Sequence, residues 1–157
     1  MGRPVGALRR AAPLRVVLAR AALLSAALLG APAHAGQAIV PAAPDGRFLT
    51  QASVEGVEVE AEVAPGKERV LVPTAVARRA GVKFDRRKGE RVTLLGRDIL
   101  AFPTRIAEVR LAGVVAVNVP ALVVDDLRVR RVSLGRPFLE QMGAVTRRDG
   151  ALVLEQQ

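Results

Sequence analysis

The stretch Glu62-Val63-Ala64-Pro65-Gly66-Lys67, followed by Val70-Leu71-Val72-Pro73, decides how this chain is read. It closes a run in which Val57, Val59, Ala61 and Val63 alternate with Glu58, Glu60 and Glu62. Alternation with period two predicts a strand with one buried face and one wet face. Ala64-Pro65-Gly66 then breaks the pattern as a loop, and Val70 to Val72 resumes it as a short apolar strand. Upstream, Phe48, Ala52 and Val54 continue the alternation, with Glu55-Gly56 between the two halves. That spacing predicts a hairpin turning at Glu55-Gly56.

Outward from this core the same signals repeat. Pro73-Thr74 opens a predicted short helix over 74–80, with Thr74 as N-cap and Gly81 as its stop. Arg86 to Glu90 reads as a charged turn. Residues 92–95 and 99–102 read as strands around a turn at Gly96-Arg97-Asp98. Residues 106–111 and 114–119 form another predicted hairpin around Ala112-Gly113, and 121–124 a further buried strand ended by Asp125-Asp126. A second short helix is predicted over 136–142, stopped by Gly143. A last hairpin turns at Asp149-Gly150. Many short strands with Gly-marked turns and two helical turns predict an all-β, barrel-like domain.

The ordered set of pieces resembles the retropepsin-like aspartyl proteases. Val72 to Val82 is similar to the short helix after the catalytic loop of that family, and Leu94 to Ile99 to its flap hairpin. Val132-Ser133-Leu134-Gly135-Arg136-Pro137-Phe138-Leu139 resembles the hydrophobic-hydrophobic-Gly signature and the helix that follows it. The resemblance spans Asp45 to Glu155. It implies a retropepsin-like acid-protease barrel with one or two short helices, and an extended peptide or protein as ligand. It also implies a homodimer, because single-domain members assemble their site from two chains. The groove candidates it implies are Glu62, Gly66, Leu95, Gly96, Arg97, Leu134 and Gly135.

The family's first motif reads hydrophobic-Asp-Thr/Ser-Gly-Ala, and here Ala64 and Pro65 stand where the Asp and the hydroxyl residue would be. Paired carboxylates sharing one proton carry the family's chemistry. A methyl group accepts no proton, and proline offers neither a hydroxyl nor an N–H. Among the remaining acids, Asp125 and Asp126 are neighbours that a strand would point to opposite faces. Asp149 reads as a hairpin turn. Asp45, Asp85 and Asp98 sit beside turn signals. Glu62, two residues before Ala64 and on the same face of a regular strand, is the one candidate for a displaced acid.

Residues 1–35 read as an export leader. Arg3, Arg9, Arg10, Arg15 and Arg20 make a basic segment, 21–29 is apolar, and Ala33-His34-Ala35 is a cleavage signal. The apolar part is shorter than the roughly 20 residues of a membrane span, and an uncleaved membrane anchor is the alternative reading. Residues 36–44 read as an Ala/Pro-rich linker and 45–157 as the folded domain. The expected location is periplasmic or secreted, with no transmembrane span in the mature chain. The leader holds five of the 24 basic residues and none of the 15 acidic ones, so cleavage lowers the net charge from +9 to +4. The basic pairs that remain have almost no aromatic residues among them, so no nucleic-acid partner is expected. There is no cysteine, and the single histidine, His34, lies in the leader. Cys- or His-based nucleophilic catalysis and ordinary zinc sites are therefore excluded, and no cofactor or metal is expected. Three functions remain: a non-catalytic peptide- or protein-binding homologue, a structural or assembly domain of the cell envelope, and an aspartic endopeptidase with a displaced acid.

Overall fold

The computed structural model describes residues 36–94 and 96–156. The leader, the position Leu95 and the C-terminal Gln157 lie outside the described residues. Strands β2 (Phe48–Val54) and β3 (Val57–Val63) form the expected hairpin, with Val54 opposite Val57. The two residues between them, Glu55 and Gly56, both have positive φ (51° and 81°). Two left-handed residues in a two-residue loop match the right-handed twist of the flanking strands.

β4 (Val70–Pro73) follows, and then helix α1 (Thr74–Arg79). Thr74 is not the N-cap. That position is Pro73, and the Thr74 hydroxyl donates instead to the Val124 carbonyl at 3.0 Å, tying the helix start to the neighbouring strand. Gly81 does stop the helix, with φ of 70°. Its N–H donates to the Arg78 carbonyl, and the Val82 N–H donates to Ala77, a pattern that closes the last turn. A 3-10 turn (Arg86–Lys88), with Asp85 accepting from the Arg87 N–H, leads into β5 (Glu90–Leu94).

β6 (Arg97–Leu111) and β7 (Val114–Val124) are each longer than the sequence suggests. Arg97 and Asp98, expected in a turn, belong to β6 and pair with Leu94 and Thr93. The strands expected over 99–102 and 106–111 are one, as are those over 114–119 and 121–124, and Pro103 and Pro120 lie within them. Proline is tolerated in a strand where a ladder hydrogen bond is not required of it. Pro103 falls between the part of β6 that pairs with β5 and the part that pairs with β2. Pro120 falls just before β7 begins to pair with β4. Each therefore sits where its strand has a single neighbour.

β8 (Val132–Leu134) leads to α2 (Arg136–Leu139), which is four residues long and ends before Met142. β9 (Ala144–Arg148) and β10 (Ala151–Glu155) close the chain as a hairpin. Residues 36–44 are not a linker. They contain β1 (Gln37–Pro41), which pairs antiparallel with β10 and buries Ala38 and Val40 in the core.

The large sheet runs β2-β3-β8-β4-β7-β6-β5. A second pairing of β2 with β6 closes six of these strands into a barrel and leaves β5 outside as half of a projecting hairpin. Valines dominate the interior, with Phe102, Phe138, Ile106, Leu111 and Leu134 filling the wider layers. β-branched side chains suit the pleated, half-buried surface of such a sheet. A smaller apolar cluster of Leu71, Ala101, Leu122 and Val124 lies under the β5–β6 hairpin. Among the described residues, no helix is long and apolar enough to cross a membrane.

Candidate functional site

β8 lies between β3 and β4. It runs parallel to β3, with Glu62 opposite Ser133 and Val63 opposite Leu134, and antiparallel to β4, with Leu71 opposite Ser133. The loop 64–69 therefore has to cross over the end of β8 to reach β4. Three backbone bonds fix the crossing: Ala64 N–H to Leu134 O (2.9 Å), Lys67 N–H to Ala64 O (3.0 Å) and Arg136 N–H to Lys67 O (2.8 Å). Gly135 lies under the crossing, where a β-carbon would collide with the carbonyl oxygens of Lys67 and Arg69. Ion pairs from Arg136 to Glu68 (3.1 Å) and from Arg69 to Glu90 (3.3 Å) link the loop to α2 and β5.

A cleft of roughly 390 Å³ opens beside this crossing. Its apolar side is Leu71, Leu94 and Val129. Its polar side is Glu62 and Ser133 on adjacent strands, with Lys67 from the crossing loop and Arg130 and Arg131 from the loop between β7 and β8. Arg47, from the turn before β2, and Arg128 complete it. Among the described residues, Glu62 is the one carboxylate in the lining. Lys67 Nζ stands 3.7 Å from it. Its charge also helps to hold the Arg47 guanidinium protonated, after the larger effect of Asp45 beside it. Ser133 is 4% exposed, and its Oγ has no hydrogen-bond partner among the described residues. A buried hydroxyl normally has one.

The sequence candidates separate in space. Glu62 lines the cleft. Leu134 has no exposure and packs in the barrel core, while its neighbour Ser133 faces the cleft. Gly135 serves the crossing. Gly66 is exposed, and a β-carbon there would meet nothing. Gly96 takes φ of 73° in the turn between β5 and β6, and Arg97 begins β6 at the tip. Leu95 lies outside the described residues. Ala64 is buried at 8% exposure and lies in sequence between two cleft residues, Glu62 and Lys67, without itself lining the cleft. Residues 64–66 bear no carboxylate and no hydroxyl.

Asp125 and Asp126 diverge. Asp125 reaches Arg86 at 3.9 Å, whereas Asp126 turns back onto Arg128, whose Nε lies 3.0 Å away. The Arg128 side chain, then its backbone N–H, hold the Asp126 carboxyl down to about 2, and the charge of Arg97 at the hairpin tip adds a smaller effect. This clasp shapes the loop that carries the cleft arginines.

A sequence profile described as aspartyl protease matches residues 50–138, which take in both sides of the crossing. The chain belongs to the retropepsin-like aspartyl protease family. This aspartyl-protease homologue is similar in structure to a retropepsin-like aspartic protease from Rickettsia conorii. The identity is 25% and the TM-score 0.62, over 77% of this chain and 91% of that one. It shares its fold with EIAV protease, solved in complex with the inhibitor HBY-793. There the identity is 20% and the TM-score 0.53, over 65% of this chain and 93% of that one. No curated protein sequence matches it.

Proposed function

We propose that this chain is an exported, non-catalytic member of the family, which binds an extended peptide or protein segment without cleaving it. What supports the reading is Ala64: the resemblance puts the family's carboxylate at this position, and the chain has a buried methyl group there. Dyad chemistry needs two acids close enough to share a proton. The cleft offers one, Glu62, with a cation beside it. The chain has the family's barrel, together with a crossing loop and a projecting β5–β6 hairpin, which gives a segment room to lie between hairpin and crossing. Pairing its backbone with a strand edge is a common means of holding such a segment. The leader reading of residues 1–35 supports a periplasmic or secreted location.

The reading is tested by restoring the motif. Ala64→Asp combined with Pro65→Thr is expected to produce measurable peptide hydrolysis at acid pH where the native chain gives none. Equal hydrolysis by both proteins would overturn it.

An assembly role is the second reading. It is favoured by the outer edge of β9, which has no strand partner among the described residues and leaves Val145 37% exposed. Unpaired edges are templates for joining a second chain. Sedimentation of the protein with and without a proline at Thr146 would separate a β9-mediated dimer from a monomer.

A further inference from the structure

The side chains around the cleft are strongly unbalanced in charge. Arg47, Lys67, Arg128, Arg130 and Arg131 line it, against the single carboxylate of Glu62. Several of these cations are occupied. Arg47 is bonded to Asp45, Arg128 to Asp126, and Lys67 faces Glu62. Two are not fully used. Arg130 is exposed and forms no ion pair among the described residues. Arg131 spends its Nε on Glu60 at 2.9 Å, and its terminal nitrogens have no partner there. A few residues along the chain, the buried Ser133 hydroxyl lines the same cleft with its hydrogen-bonding capacity unmet.

Unspent guanidinium donors beside an orphan hydroxyl form a set of donors without an acceptor. Guanidinium groups receive carboxylates in paired, charge-assisted hydrogen bonds, and a hydroxyl can donate to a second oxygen of the same segment. We infer that the cleft selects an acidic segment: an extended peptide whose Asp or Glu side chains are received by Arg130, Arg131 and the Ser133 hydroxyl. The inference rests on the peptide-binding reading above and adds the chemical class of the ligand. The apolar side, Leu71, Leu94 and Val129, takes the neighbouring aliphatic side chains. Glu62 is placed to turn away the acidic residue that would otherwise bind at Lys67, which sets the register. A polyanion such as single-stranded nucleic acid is the poorer fit, because among the described residues no aromatic side chain lines the cleft for bases to stack on.

The test is fluorescence anisotropy on the purified full chain with three labelled peptides of equal length: one rich in Asp and Glu with interspersed leucines, one with those acids replaced by Gln and Asn, and one with Lys. A labelled single-stranded oligonucleotide is the fourth probe. The acidic peptide is expected to bind about tenfold more tightly than the amide peptide, with the difference shrinking as salt rises. Arg130→Glu should remove most of that preference, and Ser133→Ala part of it, both with the thermal midpoint retained or raised. Equal binding of the acidic and amide peptides would overturn the acidic preference and leave the peptide-binding reading standing. Binding of no peptide at all would overturn both. Tighter binding of the oligonucleotide, or a preference untouched by Arg130→Glu, would also overturn the inference.

Discussion

Gly135 passes so closely beneath Lys67 that a β-carbon built at 135 would stand 2.5 Å from the Lys67 carbonyl oxygen. The backbone of Gly135 is extended, with φ of −94°, so the glycine is demanded by this approach and not by its own conformation. Gly135→Ala must push the crossing loop away from β8 and break the Arg136-to-Lys67 bond. The expected loss is about 3 kcal/mol, in the upper range for overpacking a fixed site. Urea unfolding checks it. A loss below about 0.5 kcal/mol, the scale of an ordinary surface substitution, would mean that the crossing is loose.

Ser133 should behave in the opposite way. Its hydroxyl is buried without a partner among the described residues, and removing an unsatisfied polar group recovers its desolvation cost. Ser133→Ala is therefore expected to raise stability by on the order of 1 kcal/mol, seen as a higher urea midpoint with an unchanged slope. A residue that destabilises the fold and faces a cleft is the kind that activity trades against stability. A lower midpoint would show that the hydroxyl is satisfied from within the chain.

The Asp126–Arg128 clasp sets a pH window. Hydrogen bonding to Arg128 lowers the Asp126 carboxyl from 3.8 to about 2. A carboxylate with a lowered folded value contributes its stabilisation above the unfolded value, and that contribution is lost as pH falls through the folded one. The loop 125–131 should thus keep its shape down to about pH 3 and loosen near pH 2. NMR titration of the Asp126 carboxyl should give a midpoint close to 2, returning toward 3.8 in Arg128→Ala. The same midpoint in both proteins would refute the clasp.

Much of the fold was legible because local signals and tertiary pairing agreed. Glu55-Gly56 and Asp149-Gly150 each marked a two-residue turn, and both pairs adopt positive φ. The alternating glutamates of β3 marked its wet face. Legibility failed where partner strands decide the outcome. Residues 99–102 and 106–111 read as separate strands, as did 114–119 and 121–124, because a sequence does not reveal that Pro103 and Pro120 fall where their strands have one neighbour. Residues 36–44 read as a linker because their pairing partner, β10, is more than a hundred residues away. The polar wall of the cleft was the least visible part. Ser133 was absorbed into an apolar signature, although its register opposite Glu62 places it on the cleft face. The period-two rule, applied from Leu134 inward to Ser133 outward, would have found it. Arg130 and Arg131 looked like one basic pair among several, and only the fold aims them at one cavity.

The central claim is that Ala64 leaves the cleft without dyad chemistry. The most direct measurement is peptidase activity of the native chain on a broad peptide library from about pH 3 to about pH 7, the range over which acid dyads work. The account predicts no cleavage above the buffer rate at any pH. Cleavage by the native chain that is abolished by Glu62→Gln would contradict it and make Glu62 the catalytic acid.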